Sequence, residues 1–211
     1  VHSRTRGRGR PDEALTVTPE RLERIVLTRC HRDQVGAAGE LAARRRVRVP
    51  AHRSDAPVIR GERPVPVPEP VLLDREIPPY AHGPAVPEAP TTPTTPVDHE
   101  VEDGEALDSG TGPYVVHAPG PTDGSIGIHR PRHGVLFTGD YVGAVGRPLP
   151  DIFDVDRRRA IASFHRPAAL APSVARFGHG DPLTVGTAAA AAASGTPVRG
   201  TRPRYPSEVP A

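Results

Sequence analysis

Residues 28–36 read Thr-Arg-Cys-His-Arg-Asp-Gln-Val-Gly and carry more chemical information than any other stretch of the chain. The imidazole of His31 and the carboxylate of Asp33 are potential metal ligands, with the amide of Gln34 and the thiol of Cys30 beside them. The apolar run Ile25-Val26-Leu27 precedes them, and the Ala-rich stretch Ala37-Ala-Gly-Glu-Leu-Ala-Ala43 follows. A strand ending in a cluster of ligands, with a helix behind it, is a common place for a metal site. Carboxylate and imidazole ligands that leave a coordination position open let a metal acidify water and polarise a scissile bond, which is hydrolytic chemistry. Arg29 works against it. A guanidinium stays charged and holds five donors in a rigid fork, so beside carboxylates it repels a divalent cation or replaces it as the counter-charge.

The stretch resembles the Thr-His-x-His-x-Asp-His signature of the metallo-β-lactamase superfamily, with His31 and Asp33 in place and Arg29 and Gln34 at the first and third histidine positions. Three later segments resemble that family's motifs in the required order. His117-Ala-Pro-Gly-Pro121-Thr-Asp-Gly-Ser125 is similar to its His-Thr-Pro-Gly-His-Thr-x-Gly-Ser turn, with Pro121 at the ligand position. Val135-Leu-Phe-Thr-Gly-Asp140 is similar to the strand that delivers the bridging aspartate, and Phe177-Gly-His179-Gly to the terminal Gly-His-Gly loop.

The resemblance implies an α/β fold, a four-layer αββα sandwich, in which metal-bound hydroxide attacks an ester, thioester or amide-like bond. It assigns the first metal to the positions of Arg29, His31 and Pro121, where only His31 can bind, and one imidazole does not hold zinc. It assigns the second to Asp33, Gln34, Asp140 and His179, where three competent ligands remain. The implied metal ligands are therefore His31, Asp33, Asp140 and His179, with Asp33 and His31 as the catalytic pair. The degenerate ligand positions are Arg29, Gln34 and Pro121. The implied cofactor is one zinc ion at most, with manganese or iron as substitutes, or none if the chain is inactive. Two readings stay open: a hydrolase impaired by the three lost histidines, or a non-catalytic remnant or binding module in which Arg29 replaces the metal by pairing with Asp140 or Asp33. Arg, Gln and Pro codons each neighbour those of His, so three single-nucleotide changes suffice. His117 is expected to cap a strand end rather than swing into the site, and Cys30 to be a buried core thiol.

The elements that must position these groups follow from local pattern. Residues 1–13 read as a disordered leader, rich in Arg and Gly with little to bury. Thr18-Pro19 predicts a helix start, running through Arg24 into the Ile25–Leu27 strand. A helix is predicted over 35–46, then a strand over Val47–Val49 and a helical turn over 54–60, capped by Ser54. Residues 62–96 form a Pro-rich insertion inside the domain 14–193, expected to be a surface loop, with a flap over the site as the functional alternative. Short strands are predicted at 97–102, 114–118, 125–129, 134–138 and 174–177. An amphipathic helix is predicted over Asp156–Leu170, with Ile161 and Phe164 inward. The Ala tract 187–193 favours helix, and 194–211 is a Pro/Arg tail.

The chain has 211 residues, which suits one domain. It contains 28 Pro, no Trp and no Met, and all 27 basic residues are Arg, as GC-rich coding sequence produces. A net charge of +2 is too small to imply a nucleic-acid partner, and no apolar run approaches the roughly 20 residues of a membrane helix. The expected partner is a small-molecule substrate, with no nucleic acid and no membrane; oligomeric state is open. A single cysteine excludes an internal disulfide and fits a cytoplasmic location. Because Met is absent and only residues 15–24 precede the first motif, the opening strands of the first sheet are expected to be missing. The other histidines, including His52, His82, His99, His129, His133 and His165, lack ligand spacing and are expected at the surface.

Overall fold

β-Branched residues and a Pro-Ala-His run build the first sheet, seen in a computed structural model that describes residues 22–67, 94–108, 112–145, 147–151 and 153–184. Residues 22–24, expected to close a helix, are already extended, and Arg24 bridges Arg48 while Leu27 bridges Ala51, both in parallel. The Ile25 N–H donates to the Arg48 carbonyl at 2.8 Å and the Leu27 N–H to that of Pro50 at 3.0 Å. The regular strand lies just beyond the predicted Val47–Val49: β1 is Pro50–His52, and every residue in it is buried. Strands covered on both faces lose the in–out alternation that marks an exposed sheet.

The helix predicted over 35–46 is two helices, α1 (Arg32–Val35) and α2 (Ala38–Arg45). The break falls at Gly36, whose φ of 38° and ψ of −121° no helix accommodates. α2 turns Ala38 and Ala42, one helical turn apart, onto a core of Leu27, Cys30, Val35, Val49, Ala51 and Ile59. Its last turn carries Arg44 and Arg45, which suit the negative end of the helix. α3 (Ala56–Ile59) follows, with Asp55 rather than Ser54 as its N-cap. β2 (His99–Val101) then pairs in parallel with β1, placing Ala51 opposite Glu100.

β3 (Tyr114–His117), β4 (Ile126–Arg130) and β5 (Val135–Phe137) form an antiparallel meander, its second turn a 3₁₀ segment, Pro131–His133, closed by Gly134 at φ 59°. An unpredicted hairpin follows, β6 (Val142–Val145) with β7 (Arg147–Pro150). Its prolines fit because Pro148 lies opposite Ala144, whose N–H points out of the hairpin to the His179 carbonyl at 3.0 Å. That register asks no donor of Pro148. The helix predicted over 156–170 is also two, α4 (Arg157–Phe164) and α5 (Arg166–Leu170). Pro167 lacks an N–H, and its ring would collide with the Ser163 carbonyl in a continuous helix. Asp156 caps α4, its carboxylate accepting the Arg159 N–H at 2.9 Å. Phe164 is buried as predicted, whereas Ile161 is exposed. β8 (Val174–Arg176) closes the sheet order β3-β4-β5-β8, parallel to β5.

Val101, Val115, Ile126 and Ile128 share one cluster with Val26 and Leu107, so the parallel pair and the four-stranded sheet are bound through common apolar contacts. Each such side chain contributes roughly 1.5–3 kcal/mol on full burial. His52 and His129, expected at the surface, are buried on β1 and β4, where both strand faces are covered. The leader 1–13, the helix start at Thr18, His82 and most of the insertion, the Ala tract and the tail lie outside the described residues. Among those described, no helix is long and apolar enough to cross a membrane.

Candidate metal centre

Four segments bring the predicted residues together: the loop and first turn 28–34, the turn after β5 that carries Asp140, the segment after β8 that carries His179, and the end of β7 at Asp151. Ligand atoms of Asp33, Asp140 and His179 all lie within 4.8 Å of one another. The His179 Nε2 is 3.3 Å from Asp33 Oδ2 and 3.6 Å from Asp140 Oδ2. Asp140 is buried, whereas Asp33 and His179 are exposed.

Glycines make that approach feasible. A Cβ on Gly178 would lie 1.7 Å from Asp140 Oδ1, so a side chain there would take the place of the carboxylate. The Gly178 N–H donates to the Gly139 carbonyl at 2.8 Å, joining the segments that carry His179 and Asp140.

The Arg29 side chain is buried at the centre, at 4% exposure. Its Nη2 is 2.7 Å from Asp140 Oδ2 and 3.6 Å from Asp33 Oδ2, and its Nη1 donates to Asp151 Oδ2. Arg29 thus pairs with both of the expected carboxylates and with a third that no motif marked. Gln34 directs its amide Nε2 to Asp140 Oδ2 at 2.8 Å and Asp33 Oδ2 at 3.3 Å, while Oε1 accepts from Thr28 Oγ1 at 3.3 Å. In this arrangement Gln34 holds the carboxylates as a donor and offers them no ligand oxygen.

These neighbours separate the titration of the two carboxylates. Burial raises the Asp140 carboxyl, with Asp33 and Asp151 adding to the rise against Arg29 and His179. Burial also acts upward on Asp33, but Arg29 and hydrogen bonds from Gln34 and His179 outweigh it and hold the group low. Two polar atoms in the cluster, Asp140 Oδ1 and Arg29 Nε, are buried without a hydrogen-bond partner.

His31 and Pro121 stand apart from the convergence. His31 is the N-cap of α1 and does not join the group of three ligands. Burial, reinforced by Arg29, pushes its imidazole down to about 4, so it is neutral at ordinary pH. Pro121 is buried in the turn after β3, where its carbonyl accepts from the Val155 N–H. His117 ends β3, its Nε2 2.8 Å from the Asp123 carbonyl and its ring stacked on His52 at 4.0 Å. Cys30 is buried, and burial beside Asp55 raises its thiol well above the usual range. Asp151 and Asp55 were missed because neither lies at a recognisable spacing from a ligand; Pro150 before Asp151 and the helix start at Asp55 both suggest ordinary turn residues.

Comparison with known proteins bears on the family and the fold. The family model for the metallo-beta-lactamase superfamily matches residues 5–179. Among solved structures, TTHA1623 in a di-iron-bound form is 25% identical with a TM-score of 0.54, the match covering 78% of this chain and 73% of that one. The BLEG-1 B3 metallo-beta-lactamase is also 25% identical, with a TM-score of 0.52 over 78% of this chain and 73% of its own. The metallo-beta-lactamase family protein TTHA1429 from Thermus thermophilus shares the fold at 24% identity and a TM-score of 0.59, over 83% of this chain and 60% of that one. No curated protein matches.

Proposed function

The chain belongs to the metallo-beta-lactamase superfamily of metal-dependent hydrolases, and from that premise we propose that it binds one divalent ion through Asp33, Asp140 and His179 and hydrolyses an ester, thioester or amide-like bond of a small molecule. The observation that carries this reading is the convergence of Asp33, Asp140 and His179, whose ligand atoms lie within 4.8 Å of one another. Charge bears on it as well. Asp33 and Asp140 bring two carboxylates to the point where His179 arrives, and both already face a positive side chain in Arg29.

When bound, the ion supplies Lewis acidity and lowers the pKa of a water toward neutrality. The chain's own residues do the rest. Arg29 is a permanent positive charge in the part of the pocket that the lost histidines would have occupied, and it fixes Asp140 and Asp151 by its fork. Gln34 holds Asp33 and Asp140 on one side. His31, held neutral by burial and by the charge of Arg29, could act only as a weak proton acceptor beside the site. Zinc is the proposed ion, with manganese or iron as substitutes; TTHA1623 was solved in a di-iron-bound form. The four-layer αββα sandwich is the proposed full arrangement, and the cytoplasm the proposed location.

A second reading, a non-catalytic module with Arg29 as its internal cation, is favoured by the close pairing of Arg29 with Asp140 at 2.7 Å. Elemental analysis of the purified protein separates the two, run beside an Arg29→His, Gln34→His, Pro121→His triple variant. One equivalent of metal in the wild type and up to two in the variant are expected. A metal-free wild type that chelator leaves equally stable would remove the first reading.

A further inference from the structure

Asp55 is a carboxylate for which the metal chemistry has no use, yet it is only 2% exposed. It occupies the N-cap of α3 without making the cap bond. Its oxygens are directed instead at the loop that carries Arg29 and Asp33 and at the turn that carries Pro121. Oδ2 accepts from the Cys30 N–H at 2.8 Å and from Thr122 Oγ1 at 2.6 Å, and Oδ1 accepts from the Gly124 N–H at 2.8 Å. Cys30 lies between Arg29 and His31, while Thr122 and Gly124 follow Pro121.

The donors around Asp55 are themselves fixed. Thr122 gives its one hydroxyl hydrogen to Asp55, so the 2.8 Å contact with Ser125 Oγ is donated by Ser125, which also accepts the Thr122 N–H at 3.0 Å. Thr122 and Ser125 are buried as well. A Cβ on Gly124 would lie 2.6 Å from Asp55 Cγ, so the close approach depends on glycine. A cap alone would be served by a surface carboxylate. Burying this one is costly unless several donors meet it at once, and the donors come from the two loops that must be held in register.

We propose that Asp55 is a positioning residue that locks the 28–36 loop to the 118–125 turn and thereby holds Asp33, carried on that loop, in place relative to Asp140 and His179; its metal readout rests on the single-ion reading above. The test compares the wild type with Asp55→Asn, Thr122→Val and Thr122→Ser. Amide hydrogen exchange and titration with Co²⁺ are both followed well below the unfolding temperature. Asp55→Asn keeps the shape but sets an NH₂ group against donors. It is expected to weaken Co²⁺ binding by at least about tenfold and to alter the cobalt visible spectrum, with a smaller effect in Thr122→Val and none in Thr122→Ser. Amide protection should fall in 28–36 and 118–125 while β4 and β5 keep theirs.

Unchanged loop protection, loss spread evenly over the sheet, or lost protection with unchanged cobalt binding would each overturn the role. If Asp55→Asn does not fold, the Thr122 pair carries the same comparison. A wild type that takes up no Co²⁺ removes the single-ion reading, and exchange alone then decides whether Asp55 locks the loops.

Discussion

Asp55 and Asp140 are both buried carboxylates beside the 28–36 loop, and their surroundings differ in kind. Around Asp55, main-chain N–H groups and a hydroxyl come from separate loops, and both oxygens are occupied. Around Asp140, Arg29 and Gln34 crowd onto Oδ2, His179 lies near, Asp33 and Asp151 add like charge, and Oδ1 has no partner. A buried polar network that is fully satisfied makes the fold rigid. One left incomplete calls for an explanation, and at Asp140 the proposed ion would supply it. The contrast separates scaffold from chemistry on two sides of the same 28–36 loop.

The comparison can be broken most directly at its satisfied end. Asp55→Ala leaves two buried N–H groups and a hydroxyl without an acceptor, and each orphan costs roughly 1–3 kcal/mol. A loss of about 4 kcal/mol in urea unfolding is expected, with no recovery when Mn²⁺ is added. Arg29→Met removes the cation from the incomplete end and strands buried carboxylates, a cost of about 3 kcal/mol. Here millimolar Mn²⁺ should restore most of the stability. If it restores none, the cluster does not accept a divalent ion and the contrast fails.

A pH-dependent effect is expected from His52, whose imidazole is pushed down to about 4 chiefly by burial, then by His117 and Arg53, with Asp103 opposing. The unfolded histidine titrates near 6.5, so as pH falls the unfolded chain takes the proton first. The stabilisation is complete above about pH 6.5 and is lost between there and about pH 4, on the order of 3 kcal/mol. His52→Phe should flatten the stability–pH slope in that window; an unchanged slope would show that His52 is not its source. Smallest of all is Glu40→Gln, which breaks the exposed pair of Arg44 and Glu40 at 2.5 Å. It should change stability by about 0.3 kcal/mol, and a change above about 1 kcal/mol would mean that solvated pairs matter more here than the buried ones imply.

What could be read from the sequence was whatever chemistry repeats at fixed spacing. The 28–36 stretch, Asp140 and His179 carry motif spacing, and the structure brings Asp33, Asp140 and His179 to one point. The short strands around them also stood out, because turn residues separate β-prone runs. Asp151 and Asp55 did not, since each acquires its meaning from partners over a hundred or several tens of residues distant along the chain. The β6–β7 hairpin was hidden by Pro148 and Pro150, which read as strand breakers until the register shows that no donor is asked of Pro148. His52 and His129 were misplaced for a related reason: on strands covered from both sides, a polar residue type does not mark the outer face. The breaks at Gly36 and His165 were underestimated because helical periodicity persists across them, while a single backbone angle or a missing N–H decides the outcome.

Arg29 introduces a dependence of its own. A metal can be stripped by a chelator, outcompeted or exchanged, whereas a guanidinium anchored by peptide bonds is present from synthesis at one copy per molecule. Part of the positive charge beside Asp140 and Asp151 is therefore independent of metal supply, so under the proposed single-ion reading the fold there is expected to survive metal starvation that would leave an all-ion pocket full of unopposed carboxylates.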